Sequence, residues 1–213
     1  MSTAAVTDVL VPPTHRGSPL PALAGVGGVA AFASAAVVFG DPLAGSGDPA
    51  EAAEQLAGSS ATLAGLLVGV YAVLAVAVTG ALAGRLARAG ESAAVRLLPV
   101  LGFGHVILLA IAFAAPAAAV SVGTQVFDDG VSPTGTEAAL VLMNVAHPMS
   151  AWLGVGFLVA VVLGGRAAQV SRALVAISAV FAVGLLLPPV GWAVTYLMAF
   201  WFAGVGIWLW RRA

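Results

Sequence analysis

Residues 61–88 read ATLAGLLVGVYAVLAVAVTGALAGRLAR. From Ala61 to Gly84 no side chain carries a charge, and then Arg85 and Arg88 follow. A helix rises about 1.5 Å per residue and a bilayer core is about 30 Å thick, so about 20 apolar residues cross it. Backbone amides in hydrocarbon must bond within their own segment, so the stretch predicts a helix. The same chemistry recurs outward in both directions. Leu20 to Gly40 precedes it. Val95 to Ala119, Ala138 to Gly164, the short Ala173 to Leu187, and Val190 to Trp210 follow. A transmembrane barrel would instead show alternating segments of about ten residues. The pattern predicts an all-α polytopic membrane bundle of six transmembrane helices.

The composition agrees. The chain has 213 residues, 61% hydrophobic and 8% charged, with a mean hydropathy of +1.07. A soluble domain carries about 25% charged residues. Too little polar side chain is present to coat a water-soluble globule, which excludes a soluble enzyme, a nucleic-acid binder and a disordered chain. There is no Cys, hence no disulfide, thiolate nucleophile or Cys-ligated metal. There is no Lys, hence no Schiff base. Every fixed positive charge is Arg beside abundant Ala, Gly and Val, in keeping with GC-rich bacterial coding.

Six crossings sort the charges. Arg16, Arg85, Arg88, Arg96, Arg166, Arg172, Arg211 and Arg212 all fall on one side, with Asp8 and Glu91. Asp41, Asp48, Glu51, Glu54, Asp128, Asp129 and Glu137 fall on the other. One span more or fewer would scatter the arginines. The positive-inside rule then places both termini in the cytoplasm of a bacterial cell, with the chain in its plasma (inner) membrane. Residues 1–17 form a cytoplasmic tail and 18–213 one transmembrane domain. The first apolar run, about 20 residues, exceeds the 7–15 of a signal-peptide core, so it reads as a retained span.

The joints carry local signals. Ser18-Pro19 offers an N-cap and a proline at the first helical position. Asp48-Pro49-Ala50-Glu51 adds a capping box and predicts a short outer helix near Pro49 to Ala57. Ser171 caps the fifth span. Leu187-Pro188-Pro189-Val190-Gly191 leaves almost no loop, so the last two spans form a tight hairpin. The long outer segment Ser121 to Thr136 contains Asp128-Asp129-Gly130, which reads as a solvated turn and lacks the oxygen spacing of a calcium loop. Gly65 with Gly69 and Gly80 with Gly84 match the small-xxx-small spacing of close helix contacts. Trp192, Trp208 and Trp210 stand near the ends of the sixth span as an aromatic belt, whereas Trp201, mid-span, reads as packing.

An ionisable or strongly polar group inside a membrane is a functional candidate by default. The spans hold His105, Asn144 and His147, with Tyr71 a milder case. Counted from Val95, His105 lies about 15 Å deep. Counted from Ala138, His147 lies about 14 Å deep, both near the midplane, and Tyr71 reaches the same level. Glu137 and Asn144 are seven apart on one helical face, with His147 beside it. Pro148 lacks an N–H, which frees the Asn144 carbonyl and favours a kink. These groups predict one polar patch with Glu137 at its mouth.

Three uses compete. The residues hydrogen-bond across helices and do nothing else. They line a pocket that binds or passes a small solute or protons, since imidazole titrates near neutrality. Or His105 and His147 are axial ligands of a single haem b, with Gly102 and Gly104 making room and Arg96 the nearest cation for a propionate. The pocket is the leading expectation. No HExxH, GxSxG or phosphate-loop pattern is present, so no catalytic residue is assigned. Two imidazoles and an amide fall short of a metal site. Arg85, Arg88 and Arg96 set topology, with anionic-lipid contact as the lesser role. No echo of Asn144-Val145-Ala146-His147-Pro148 in the first half supports an inverted repeat.

The first span ending at Asp41-Pro42, the acidic outer helix, the Arg-bearing inner loop and three further spans together resemble a family of six-helix bacterial (actinobacterial-type) integral membrane proteins of unknown function. The resemblance is one of architecture over most of the chain. It implies the six-helix fold and no activity, partner or site residue.

Overall fold

A computed structural model describes residues 18–39, 48–126, 130–188 and 190–212. The tail 1–17, the Asp41-Pro42 turn, Asp128-Asp129 and Pro189 lie outside the described residues. Among the described residues there is no strand. The helices are α1 (Leu20–Phe39), α2 (Pro49–Ala57), α3 (Ala61–Ala89), α4 (Ala93–Ser121), α5 (Pro133–Ala167), α6 (Arg172–Leu186) and α7 (Val190–Arg212), with a π-helical turn Val122–Val126 after α4.

Local chemistry explains most boundaries. The Asp48 carboxylate accepts the Ala50 amide at 3.0 Å and Pro49 opens α2. Glu51 does not complete the capping box; it accepts from the Gln55 amide at 3.2 Å. Ser92, Ser132 and Ser171 cap α4, α5 and α6 by accepting the amides of Val95, Gly135 and Leu174, each satisfying one orphan donor of the first turn. α5 ends in a Schellman motif. The Val170 amide returns to the Gly165 carbonyl at 2.9 Å and the Gln169 amide to Arg166 at 3.2 Å, with Gln169 left-handed at φ 50°. α5 is helical throughout Pro133–Ala167, Pro148 included.

Among the described residues, five helices are long and apolar enough to cross a membrane: α1, α3, α4, α5 and α7. α6 is shorter, at 15 residues, or about 22 Å. Both faces of these helices are apolar. α1 turns Ala24, Ala31, Phe32 and Ala35 inward and Leu23, Val26 and Val37 outward. A helix in water would carry polar residues on its outer face, so the surroundings of this bundle are themselves apolar. These are the helices of an integral, multi-pass membrane protein.

α4 packs most extensively on α5. α3 packs on α4, and α1 lies against α3 and α7. Val78, Leu82, Leu98, Leu109, Phe157 and Met198 form the centre of the core, each fully enclosed. α2 closes one end through a small separate cluster of Leu56, Ala61 and Val120. The glycines at helix contacts are mostly not those singled out by spacing. Gly65 does face Ala117. Gly69 and Gly80 face open space, and Gly84 meets only the side chain of Arg88. The close backbone crossing is instead α1 on α7. A Cβ on Gly25 would stand 2.8 Å from the Ala203 Cα, and one on Gly206 would meet the Pro21 carbonyl oxygen.

Candidate functional site

His105 is 0% exposed on α4. Its Nδ1 lies 2.9 Å from the Ser150 carbonyl oxygen. A carbonyl can only accept, so Nδ1 carries the hydrogen and the ring is held as one tautomer. Ser150 Oγ donates back to the His105 carbonyl at 2.9 Å. The ring lies over Phe202 with centroids 6.5 Å apart, and Nε2 is buried without a partner. Gly102 and Gly104 leave no slot beside it. The space a side chain would take there is filled by Thr79 and Phe157 at the first and by Leu153 at the second. A macrocycle does not fit against this histidine as the haem arrangement requires.

His147, on α5, has a different setting. Its ring stacks on Trp192 of α7 at 3.6 Å between centroids and 11° between planes. Its Nε2 is also buried without a partner. Together with Pro148, Trp152, Leu186, Pro188 and Trp192 it lines a cleft of about 200 Å³ between α5, α6 and α7, and His105 is not among the lining residues. The cleft sits where α6 ends and turns into α7, beside the longer α5.

The other expected residues stand apart. Asn144 is exposed and spends its amide on the Leu140 carbonyl of its own helix at 2.9 Å. The buried face of α5 takes Ala146 and His147 and leaves Asn144 and Val145 outside. Glu137 is exposed near the start of α5. Tyr71 is buried against Phe32 and Phe202, its hydroxyl unpartnered. Arg96 is engaged with Glu91 at 2.7 Å. Depth also shifts. His147 is nineteen residues from Arg166 and Trp192 nineteen from Arg211, about 28 Å in each case. Counting from Ala138 suggested the midplane because α5 has 35 residues and, at about 52 Å, outruns a bilayer core.

Ser150 and Trp152 carried no functional signal in the sequence. Ser150 lies three residues from His147, yet its partner is His105, forty-five residues away. Chemically, the His147 cleft offers an apolar, aromatic-walled space beside an imidazole. Comparison with protein-family models, with curated proteins and with solved structures finds no match.

Proposed function

We propose that the chain crosses the bacterial plasma membrane six times with both termini cytoplasmic, and that the His147 cleft binds a small, lipid-soluble molecule with a planar head bearing a hydrogen-bonding atom. The observation that carries this reading is the His147–Trp192 stack on the wall of a cleft of about 200 Å³. Planar ring systems favour stacking on aromatic faces. Pockets for small molecules are mostly apolar with a few convergent polar groups. Trp152, Leu186 and Trp192, all exposed, open the cleft sideways, where a bilayer supplies lipid-soluble ligands. With the arginines cytoplasmic, as proposed, a distance of about 28 Å from them corresponds to the outer leaflet. α6 counts as the sixth crossing because it leaves the arginine end and α7 returns to it. The assignment is non-enzymatic. His105, clasped by Ser150, is a structural residue in this reading.

The test is a titration of the purified protein with menadione, a planar quinone, followed by tryptophan quenching. The wild type is expected to show a saturable component. His147→Phe, which keeps a ring against Trp192 but removes the nitrogens, is expected to weaken it, and Trp192→Leu to abolish it. Identical titrations for all three proteins would sink the proposal.

A further inference from the structure

The described arginines gather at the opposite end of the bundle from the α6–α7 turn. There, Arg85 and Arg88 near the end of α3, Arg212 at the end of α7, Gln169 after α5, Ser171 before α6 and Trp208 line a cavity of about 300 Å³. Among the described residues, no acidic side chain lines it. Arg85 donates once, to the Arg212 carbonyl at 3.2 Å, which leaves four of its five N–H donors. Glu91 is the nearest acid in sequence, and it is held by Arg96.

Two further features point to a ligand. Gln169 takes a left-handed conformation at φ 50° where a helix end normally places glycine. That conformation crowds the Cβ of any residue with a side chain, so the position holds an amide side chain at the cavity against local preference. Ser171 is the N-cap of α6, and the positive end of that helix dipole therefore lies at the wall.

We infer that this cavity is a binding site for a phosphate-class anion, held by Arg85, Arg88 and Arg212 with a donor from Gln169. Guanidinium groups bind phosphate through paired parallel hydrogen bonds, which ammonium groups do not reproduce. An anionic lipid headgroup and a free phosphate share this chemistry. The site lies apart from the His147 cleft and does not depend on what the cleft binds.

The experiment separates the two sources. Purified protein is titrated with inorganic phosphate by calorimetry. In parallel it is placed in nanodiscs of phosphatidylglycerol and phosphatidylcholine, and retained lipid is counted by native mass spectrometry. The variant Arg88→Lys/Arg212→Lys keeps the positive charges that set orientation. It is expected to weaken binding about tenfold or more, the loss of at least one hydrogen bond to a charged group. Gln169→Gly is expected to fold at least as stably as the wild type while binding more weakly. Preferential retention of phosphatidylglycerol with no response to phosphate assigns a headgroup. Saturable phosphate binding without lipid preference assigns the free anion. If neither ligand binds, or if both variants bind as the wild type does, the inference is wrong.

Discussion

His105 and Ser150 close a reciprocal clasp between α4 and α5. The imidazole Nδ1 donates to the Ser150 carbonyl, and the Ser150 hydroxyl donates to the His105 carbonyl, each at 2.9 Å. Two polar side chains in apolar surroundings thereby satisfy their donors on each other's backbone, and they fix the register of the most extensive helix pair. Interhelical hydrogen bonds in membranes are individually modest, about 0.6 kcal/mol on average and about 1.7 at most. Register, more than stability, is what the clasp supplies.

The clasp depends on a glycine. A Cβ on Gly154 would stand 2.9 Å from His105 Nδ1 and 3.1 Å from Leu185 Cδ1. Gly154→Ala is expected to destabilise the protein by about 1–3 kcal/mol through overpacking. Ser150→Ala, which leaves the carbonyl acceptor in place, is expected to cost only about 0.6–1.7 kcal/mol. Thermal unfolding in one detergent ranks the two variants, and a Ser150→Ala loss larger than that of Gly154→Ala would contradict the geometry.

The α1–α7 crossing makes a sharper contrast. Gly206→Ala directs its methyl group at the Pro21 backbone carbonyl, which cannot swing aside as a side chain can. A loss of about 1–3 kcal/mol is expected. Gly80 has nothing within 4 Å of the place a methyl group would take, and Gly80→Ala is expected to be neutral or to stabilise by up to about 1 kcal/mol. Matched melting curves decide it. Equal effects would mean that the backbones do not approach at Gly206.

Trp201 is buried at 4% exposure, and its indole donates to Ser178 Oγ at 3.1 Å, which in turn donates to the Leu174 carbonyl at 2.8 Å. Ser178→Ala strands a buried indole N–H and is expected to cost about 1–3 kcal/mol. Trp201→Phe/Ser178→Ala removes both partners and should recover part of that loss beyond additivity. A purely additive double variant would show that the bond contributes nothing.

The proposed six-span topology puts the Gly90 turn in the cytoplasm and the Gly130 turn outside. Reporter domains fused at the two turns should be active in opposite compartments. Activity in the same compartment would remove one crossing between them, and the positive-inside orientation with it.

Much of the architecture was legible because bilayer physics constrains it strongly. The span Ala61 to Gly84 is helical because no other backbone conformation satisfies its amides in hydrocarbon. The short helix from Pro49 to Ala57 and the Ser171 cap follow from side chains that bond their own neighbours, and the tight turn at Leu187-Pro188 is closed by backbone amides, Leu187 to the Gly184 carbonyl and Gly191 to the Leu187 carbonyl. The site was less legible. Asn144 lies at helical spacing from His147, yet spacing alone does not say where the edge of the buried face falls. Trp192 read as a belt residue, and its stack on His147 joins positions forty-five apart in the chain.

What the sequence determined alone is the apolar surroundings of this chain and its helical character, because each depends on composition within a segment. Only the tertiary structure decided that His105 clasps Ser150, that His147 stacks on Trp192, and that Arg212 joins Arg85 and Arg88 around one cavity. The physical reason is that nearly every face of these helices is apolar. The choice of which face turns inward therefore rests on steric fit, at glycines such as Gly25, Gly154 and Gly206, and that fit is a property of two helices together.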